Sequence, residues 1–231
     1  MKPETTADPI RVQYGERAGI MNVAVKVDTV YIVDDDRGFR ESLTALLIGA
    51  GYRVRSFDST KRFLAEHDPT TPGCLLLEVC MPGMGGLELQ RLLMNSRCPR
   101  PIVFLSSTGE ICICAQAMKN GAVDFMMKPI DGGRLLEAVG QALQRDSGER
   151  RQRAVRSIIR ERYARLTKRE RQVMEHVVSG RLNKQIAGVL GVGEKTVKVH
   201  RGRVMRKMAV DSLPELIQVS ARMGLINDVG P

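Results

Sequence analysis

Residues 29–57 read TVYIVDDDRGFRESLTALLIGAGYRVRSF. A short run rich in β-branched and aromatic residues (29–33) meets three aspartates. A helix-spaced stretch near 38–49 follows, and a second short run, RVRSF (53–57), closes the unit. Strand, helix and strand in that order predict a parallel pair joined by a crossover helix. The alternation continues with CLLLEV (74–79), IVFL (102–105) and VDFMM (123–127), separated by helical stretches near 59–67, 87–95, 111–120 and 132–145. Repeated strand–helix units predict an α/β fold: a doubly wound, five-stranded parallel sheet with helices on both faces. Such sheets bind ligands at the carboxyl ends of their strands. Polar residues gather there: Asp34, Asp35 and Asp36 after the first strand, Glu78 near the end of the third, Ser106 and Ser107 after the fourth, and Lys128 after the fifth.

The chain is longer than this unit. Its 231 residues, 43% hydrophobic and 27% charged, suffice for two small cores and exclude a disordered or collagen-like chain. Of the net charge of +10, the last third holds the excess: residues 147–231 carry 19 Lys/Arg against 8 Asp/Glu, whereas 26–146 carry 14 against 15. A polyanionic partner is expected for that part. No apolar run approaches the ~18 residues of a membrane span, and the start lacks a signal-peptide pattern, so a cytoplasmic protein without membrane contact is expected. Residues 1–25, with two prolines and two glycines and no period, read as a loose arm, and Met21 stands as a candidate start just before the first strand. Five cysteines without paired C-x-x-C spacing read as reduced thiols. The C-x-C of Cys112 and Cys114 reads as small buried hydrophobes in preference to a redox or soft-metal site.

Residues 146–165 are crowded with arginine, but Val155, Ile158, Ile159, Tyr163 and Leu166 keep helical spacing, which predicts a basic linker helix with one sticky face. Its arginines read as a solvated face before a nucleic-acid contact. Residues 166–223 read as four short helices. Thr167 with Glu170 and Ser212 with Glu215 form capping boxes, Gly180 suits a C-terminal cap, and Pro214 sits in a first turn. Helix, tight LGVG turn and basic helix is a helix-turn-helix pattern. On a wheel of residues 195–208, Val197, Val204 and Met208 share one side. Lys195, Lys198, Val199, Gly202 and Arg206 share the other, with Thr196, His200, Arg201 and Arg203 on the flanks. Lysines reach phosphates or guanine edges, a valine meets a thymine methyl, and glycine allows close approach, so this face predicts a major-groove reader.

The stretch L-T-x-R-E-x-x-V-x-x-x-V-x-x-G-x-x-N-K-x-I-A-x-x-L-G-V-x-x-K-T-V-K-V-H-R at 166–201 resembles the LuxR/NarL-type helix-turn-helix domain. The resemblance implies dimeric binding to double-stranded DNA, with Thr196, Lys198 and Val199 on the reading helix and Asn183 and Lys184 near the backbone. Gly193 replaces the serine or proline that many relatives carry, which predicts a weaker helix cap.

Two aspartates, a carboxylate on the next strand, a hydroxyl and a lysine are the parts of a magnesium and phosphoryl site: hard oxygens for Mg²⁺, cations for phosphoryl oxygens, a hydroxyl for the transferred group. From the carboxylates alone, a harmless surface loop is an equal reading. V-D-D-D at 33–36, M-P-G-M-G-G at 81–86, Ser106 and D-F-M-M-K-P at 124–129 resemble the receiver domain of two-component response regulators. With the second domain this is the FixJ/NarL-type order: arm 1–25, flavodoxin-like receiver 26–145, linker helix 146–165, and an all-α DNA-binding domain 166–231. The resemblance makes Asp35 the direct Mg²⁺ ligand, Asp34 a partner through water, the Cys80 carbonyl a further ligand and Lys128 the phosphate clamp. Ser106 and Phe125 become the switch hydroxyl and aromatic, and a cis bond is expected between Lys128 and Pro129. Glu78 stands where relatives carry the phosphorylated aspartate. Its extra methylene pushes the carboxylate toward Lys128 and Ser106 and away from in-line attack.

Three states follow from Glu78: a regulator partly locked on, one switched by another signal, or a weak phosphate acceptor. The implied partners are inverted-repeat DNA, a second copy through residues 111–120, 123–126 and 131–139, a sensor histidine kinase or related regulator, and RNA polymerase. Two rivals are a Mg²⁺-dependent phosphohydrolase, for which Glu78 is a poor nucleophile, and a protein acting by heterodimerisation with a related regulator.

Overall fold

The computed structural model describes residues 28–96, 99–107 and 109–224. The expected arm at 1–25, Met21 and Cys98 lie outside them. Five strands, β1 (Thr29–Val33), β2 (Arg53–Phe57), β3 (Gly73–Glu78), β4 (Ile102–Ser106) and β5 (Asp124–Met127), form one sheet ordered β2-β1-β3-β4-β5, every pair parallel. Helices α1 (Arg37–Gly49), α2 (Thr60–Glu66), α3 (Gly86–Met94), α4 (Ile111–Lys119) and α5, which begins at Gly132, connect and cover it.

The central strands β1, β3 and β4 are buried at every residue, as near-continuous apolar runs require. Alternate side chains feed two cores. Val30, Ile32, Leu76, Val103 and Leu105 pack with Leu43 and Leu47 of α1 and Leu135 and Val139 of α5. Tyr31, Val33, Leu75, Leu77 and Phe104 pack with Phe63, Leu89, Leu93 and Ala117 on the other face. Sheet register then brings the carboxyl ends together: Val33 pairs with Leu77, Glu78 with Leu105, and Ser106 with Met127.

Where a separate linker helix is expected from residue 146, α5 instead runs unbroken from Gly132 to Ala164, 33 residues or about 50 Å. Gly148 weakens the middle of such a helix by about 1 kcal/mol relative to alanine. The ion pairs Arg145–Glu149 (2.9 Å) and Arg150–Asp146 (2.6 Å) work against that loss. Asp146, 1% exposed, also accepts the Gly73 amide (2.9 Å), and Arg150 donates to the carbonyls of Thr70 and Thr71, both at 2.9 Å. Arg100 grips the same loop from inside, donating to the Asp68 and Thr71 carbonyls while its guanidinium lies 4.3 Å over the Tyr31 ring. Helix residues 146–150 are thereby bonded to the sheet domain.

Further along, Ile159 of α5 is buried in a third core with Val173, Met174 and Val177 of α6 (Lys168–Val178), Ile186 of α7 (Asn183–Leu190), Val197, Val204 and Met208 of α8 (Glu194–Met208) and Leu216 of α9 (Leu213–Arg222). Thr167 and Glu170 complete the expected capping box on α6. The second box is half formed: Ser212 accepts the Glu215 amide (3.3 Å), but the Glu215 carboxylate takes the amide of Asp211 (2.9 Å) instead of Ser212's. Gly191, at φ +63°, makes the left-handed turn between α7 and α8. Gly193 caps α8 without a side-chain bond, as its lack of a hydroxyl predicts.

Candidate functional site

Asp34 leaves β1 fully buried. Its Oδ1 accepts the Asp36 amide (2.8 Å), its Oδ2 faces Lys128 Nζ at 2.7 Å, and Arg40 donates to its carbonyl. Burial pushes the Asp34 carboxyl above its ordinary range, more than Lys128 pulls it down. Asp36 is the N-cap of α1 and accepts the Phe39 amide, so the third aspartate serves the helix. Asp35, between them, is exposed.

Glu78, the last residue of β3, is 3% exposed. Oε1 accepts the amides of Val79 (2.8 Å) and Cys80 (3.1 Å), and Oε2 lies 2.7 Å from Lys128 Nζ. One ammonium thus joins two carboxylates, and it also stands 3.9 Å over the half-buried Phe39 ring. Burial pulls the Lys128 ammonium down, but both carboxylates outweigh it and hold it above its ordinary value. The Lys128–Pro129 bond is cis, and the Lys128 amide donates to the Ser106 carbonyl (2.8 Å). Ser106 is buried, and half-buried Phe125 faces Phe104 with ring centroids 6.2 Å apart.

Sequence reasoning missed Phe39, Arg40 and Gly86. A Cβ on Gly86 would lie 2.5 Å from the Glu78 carbonyl oxygen, so a glycine there lets α3 start against the end of β3. The last G of M-P-G-M-G-G could have flagged it, whereas nothing in spacing marks the Phe39 ring. Cys112 is exposed and Cys114 half-exposed, unlike the buried hydrophobes expected; both lie in the first turn of α4, and among the described residues Cys74 is the buried one. Burial pushes its thiol up to about 12.

A divalent ion needs several hard oxygens opening on one point. Here the two buried carboxylates close on Lys128, and among the described residues no group of three or more His, Cys, Asp or Glu converges. In this arrangement the Lys128 ammonium engages both buried carboxylates.

On α8, Lys195, Thr196, Lys198, Arg203 and Arg206 are exposed around Val199, which is 48% exposed, while Val197, Val204 and Met208 are buried. Lys184 is exposed on α7, and half-buried Arg201 reaches Asn183 Oδ1 (3.4 Å). Two rows of charge therefore flank an open apolar side chain. Among the described residues no helix is long and apolar enough to cross a membrane.

The sheet domain matches the response regulator receiver domain family over residues 30–140, and the helical domain matches the luxR family of bacterial regulatory proteins over residues 164–220. The response regulator protein TodT of Pseudomonas putida is 39% identical over 211 residues, covering 91% of this chain and 93% of its own. This chain belongs to the FixJ/LuxR-type response regulators. The transcriptional regulatory protein FixJ of Bradyrhizobium diazoefficiens is 38% identical over 199 residues, 86% of this chain and 97% of that one. Among solved structures, the response regulator StyR superposes with a TM-score of 0.76 at 42% identity, covering 85% of this chain and 99% of that one. Full-length FixJ from B. japonicum gives 0.52 at 37%, covering 87% and 98%. The regulator is accordingly a DNA-binding two-component response regulator with a flavodoxin-like receiver ahead of a helical DNA-binding domain.

Proposed function

We propose that this regulator binds DNA as a homodimer in a state set by Glu78 and not by phosphorylation. The observation that carries the reading is the 2.7 Å contact between Glu78 Oε2 and Lys128 Nζ. At the position where relatives carry the phosphorylated aspartate, a longer carboxylate brings permanent negative charge to the lysine that would otherwise clamp a phosphoryl oxygen. Its other oxygen is held by two backbone amides, which directs it away from in-line attack on a phosphodonor. Ser106 and Phe125 act as the switch hydroxyl and aromatic of the same pocket. Asp34, Asp35 and the Cys80 carbonyl are the oxygens available to Mg²⁺ once Lys128 is drawn away.

The dimer forms through α4, β5 and the start of α5, where Ile111 (86% exposed), Met118 (42%) and Met127 (54%) leave apolar surface open. Pairing sets two reading helices on an inverted repeat with half-sites about one helical turn apart. Lys195, Thr196, Lys198, Val199 and Arg206 face the groove, and Asn183, Lys184, Arg201 and Arg203 hold phosphates. Such a protein works in the cytoplasm beside RNA polymerase, with a sensor kinase or related regulator as a further partner. Receiver, connecting helix and DNA-binding domain act as successive functional parts, with residues 146–150 bonded to the receiver.

Sedimentation velocity with and without beryllofluoride and Mg²⁺ tests this. A dimer in both conditions is the expected result. A monomer that dimerises only with the mimic would restore phosphorylation control, and a monomer indifferent to it would favour heterodimerisation.

A further inference from the structure

Helix α5 is held from both sides. Arg150 is the last of its residues bonded to the receiver loop, and Val155 is the first that packs on the DNA-binding core. One turn, residues 151–154, lies between. Beside this turn the structure forms a groove of about 460 Å³ lined by Arg151, Gln152, Val155 and Arg156 of α5 and Arg222 from the last turn of α9.

Its three arginines differ from most others on α5. Arg145, Arg150, Arg153 and Arg165 each pair with a carboxylate of the same helix. Arg151, Arg156 and Arg222 make no ion pair or hydrogen bond among the described residues. Three guanidiniums around a concavity with no carboxylate in its lining repel one another, and an anion with several acceptor oxygens relieves this through charge-assisted bonds. Half-buried Val155 gives the groove an apolar floor.

We infer that this groove binds a phosphate-bearing polyanion. Bridging α5 to α9 at the one turn claimed by neither domain, the ligand would set the angle between receiver and reading helix. A DNA backbone running past α9 and a free polyphosphate offer the same chemistry. This site does not depend on the reading of Glu78.

The test uses the full chain and its Arg156→Gln/Arg222→Gln variant, with the exposed Arg53→Gln/Lys61→Gln pair on the receiver surface as control. Both positions are exposed, so unchanged circular dichroism and melting are expected. Calorimetry with tripolyphosphate should show binding at least tenfold weaker in the groove variant and unchanged in the control, which assigns the groove to a free anion. If tripolyphosphate binding is unaffected but the groove variant binds DNA at least tenfold more weakly, with a shallower salt dependence by about one unit per phosphate lost, the groove holds DNA backbone. Unchanged tripolyphosphate binding together with an unchanged DNA salt slope would overturn the inference.

Discussion

Lys128 Nζ stands 2.7 Å from Glu78 Oε2, so the receiver pocket carries its counter-charge inside its own sheet. The same ammonium is 2.7 Å from Asp34. Replacing Glu78 by Gln keeps an oxygen for the Val79 and Cys80 amides but removes the charge facing Lys128. The variant should lose dimer on sedimentation and bind DNA about tenfold more weakly, ~1.4 kcal/mol. Glu78→Asp should instead gain a response to beryllofluoride with Mg²⁺. Unaltered dimerisation and DNA binding in Glu78→Gln would refute the locked-on state.

Asp146→Ala takes from Arg150 its carboxylate and from the buried Gly73 amide its acceptor. Loss of a buried partner of this kind costs about 3 kcal/mol, visible in urea unfolding of the full chain. Trypsin should then cut within residues 150–156, which the intact helix protects.

Two glycine-to-alanine changes should move in opposite directions. At Gly73 (φ +152°) the new Cβ would fall 1.9 Å from the Thr29 carbonyl oxygen, in the backbone of the neighbouring strand, so Gly73→Ala should abolish soluble expression of the receiver. Gly148 is helical with nothing within 4 Å of its Cβ position, so Gly148→Ala should raise stability by about 0.5–1 kcal/mol. Thermal melts of both variants decide it.

Glu170 is 2% exposed; burial pushes its carboxyl up, but Lys207 at 2.7 Å and the Thr167 amide at 2.8 Å outweigh that and hold it below its ordinary value of 4.5. A depressed carboxyl contributes stability that is full above its unfolded value and is lost as pH falls through its folded one. The DNA-binding domain should therefore lose stability below about pH 4.5. Glu170→Gln should lower stability at pH 7 and flatten that acid limb in denaturation curves taken from pH 7 to pH 3.

Val199→Ala and Arg203→Ala separate base reading from phosphate holding. The first removes an exposed apolar contact and should narrow the gap between operator and unrelated DNA by about 1 kcal/mol. The second should weaken binding to all sequences alike and reduce the salt slope by about one, measured by anisotropy across a salt series.

Strand and helix positions on 29–127 were legible because each element is patterned by burial at its own period, and register-linked ends then follow from parallel pairing. Glu78 was legible only beside the resemblance, since one carboxylate after an apolar run has no local mark. Phe39 under Lys128 was not legible, because the contact joins residues on α1 and after β5 that meet only when the sheet is assembled. The continuity of α5 through residue 146 was not legible for a similar reason: the arginine-crowded stretch 146–165 reads locally as a helix of its own. The loop carbonyls that Arg150 binds lie some 80 positions earlier.

Composition, periodicity and motif order by themselves determined a doubly wound receiver followed by a basic helix-turn-helix domain, because apolar spacing and charge segregation are properties of the chain. Tertiary structure alone decided which charges meet. It placed one lysine between Asp34 and Glu78, sent Asp36 to a helix cap, bonded Asp146 to Gly73, and left Arg151, Arg156 and Arg222 around a groove without a carboxylate partner among the described residues. Such pairings depend on distances of a few ångströms between residues far apart in sequence, and Coulomb and hydrogen-bond energies fall off too steeply for order along the chain to specify them.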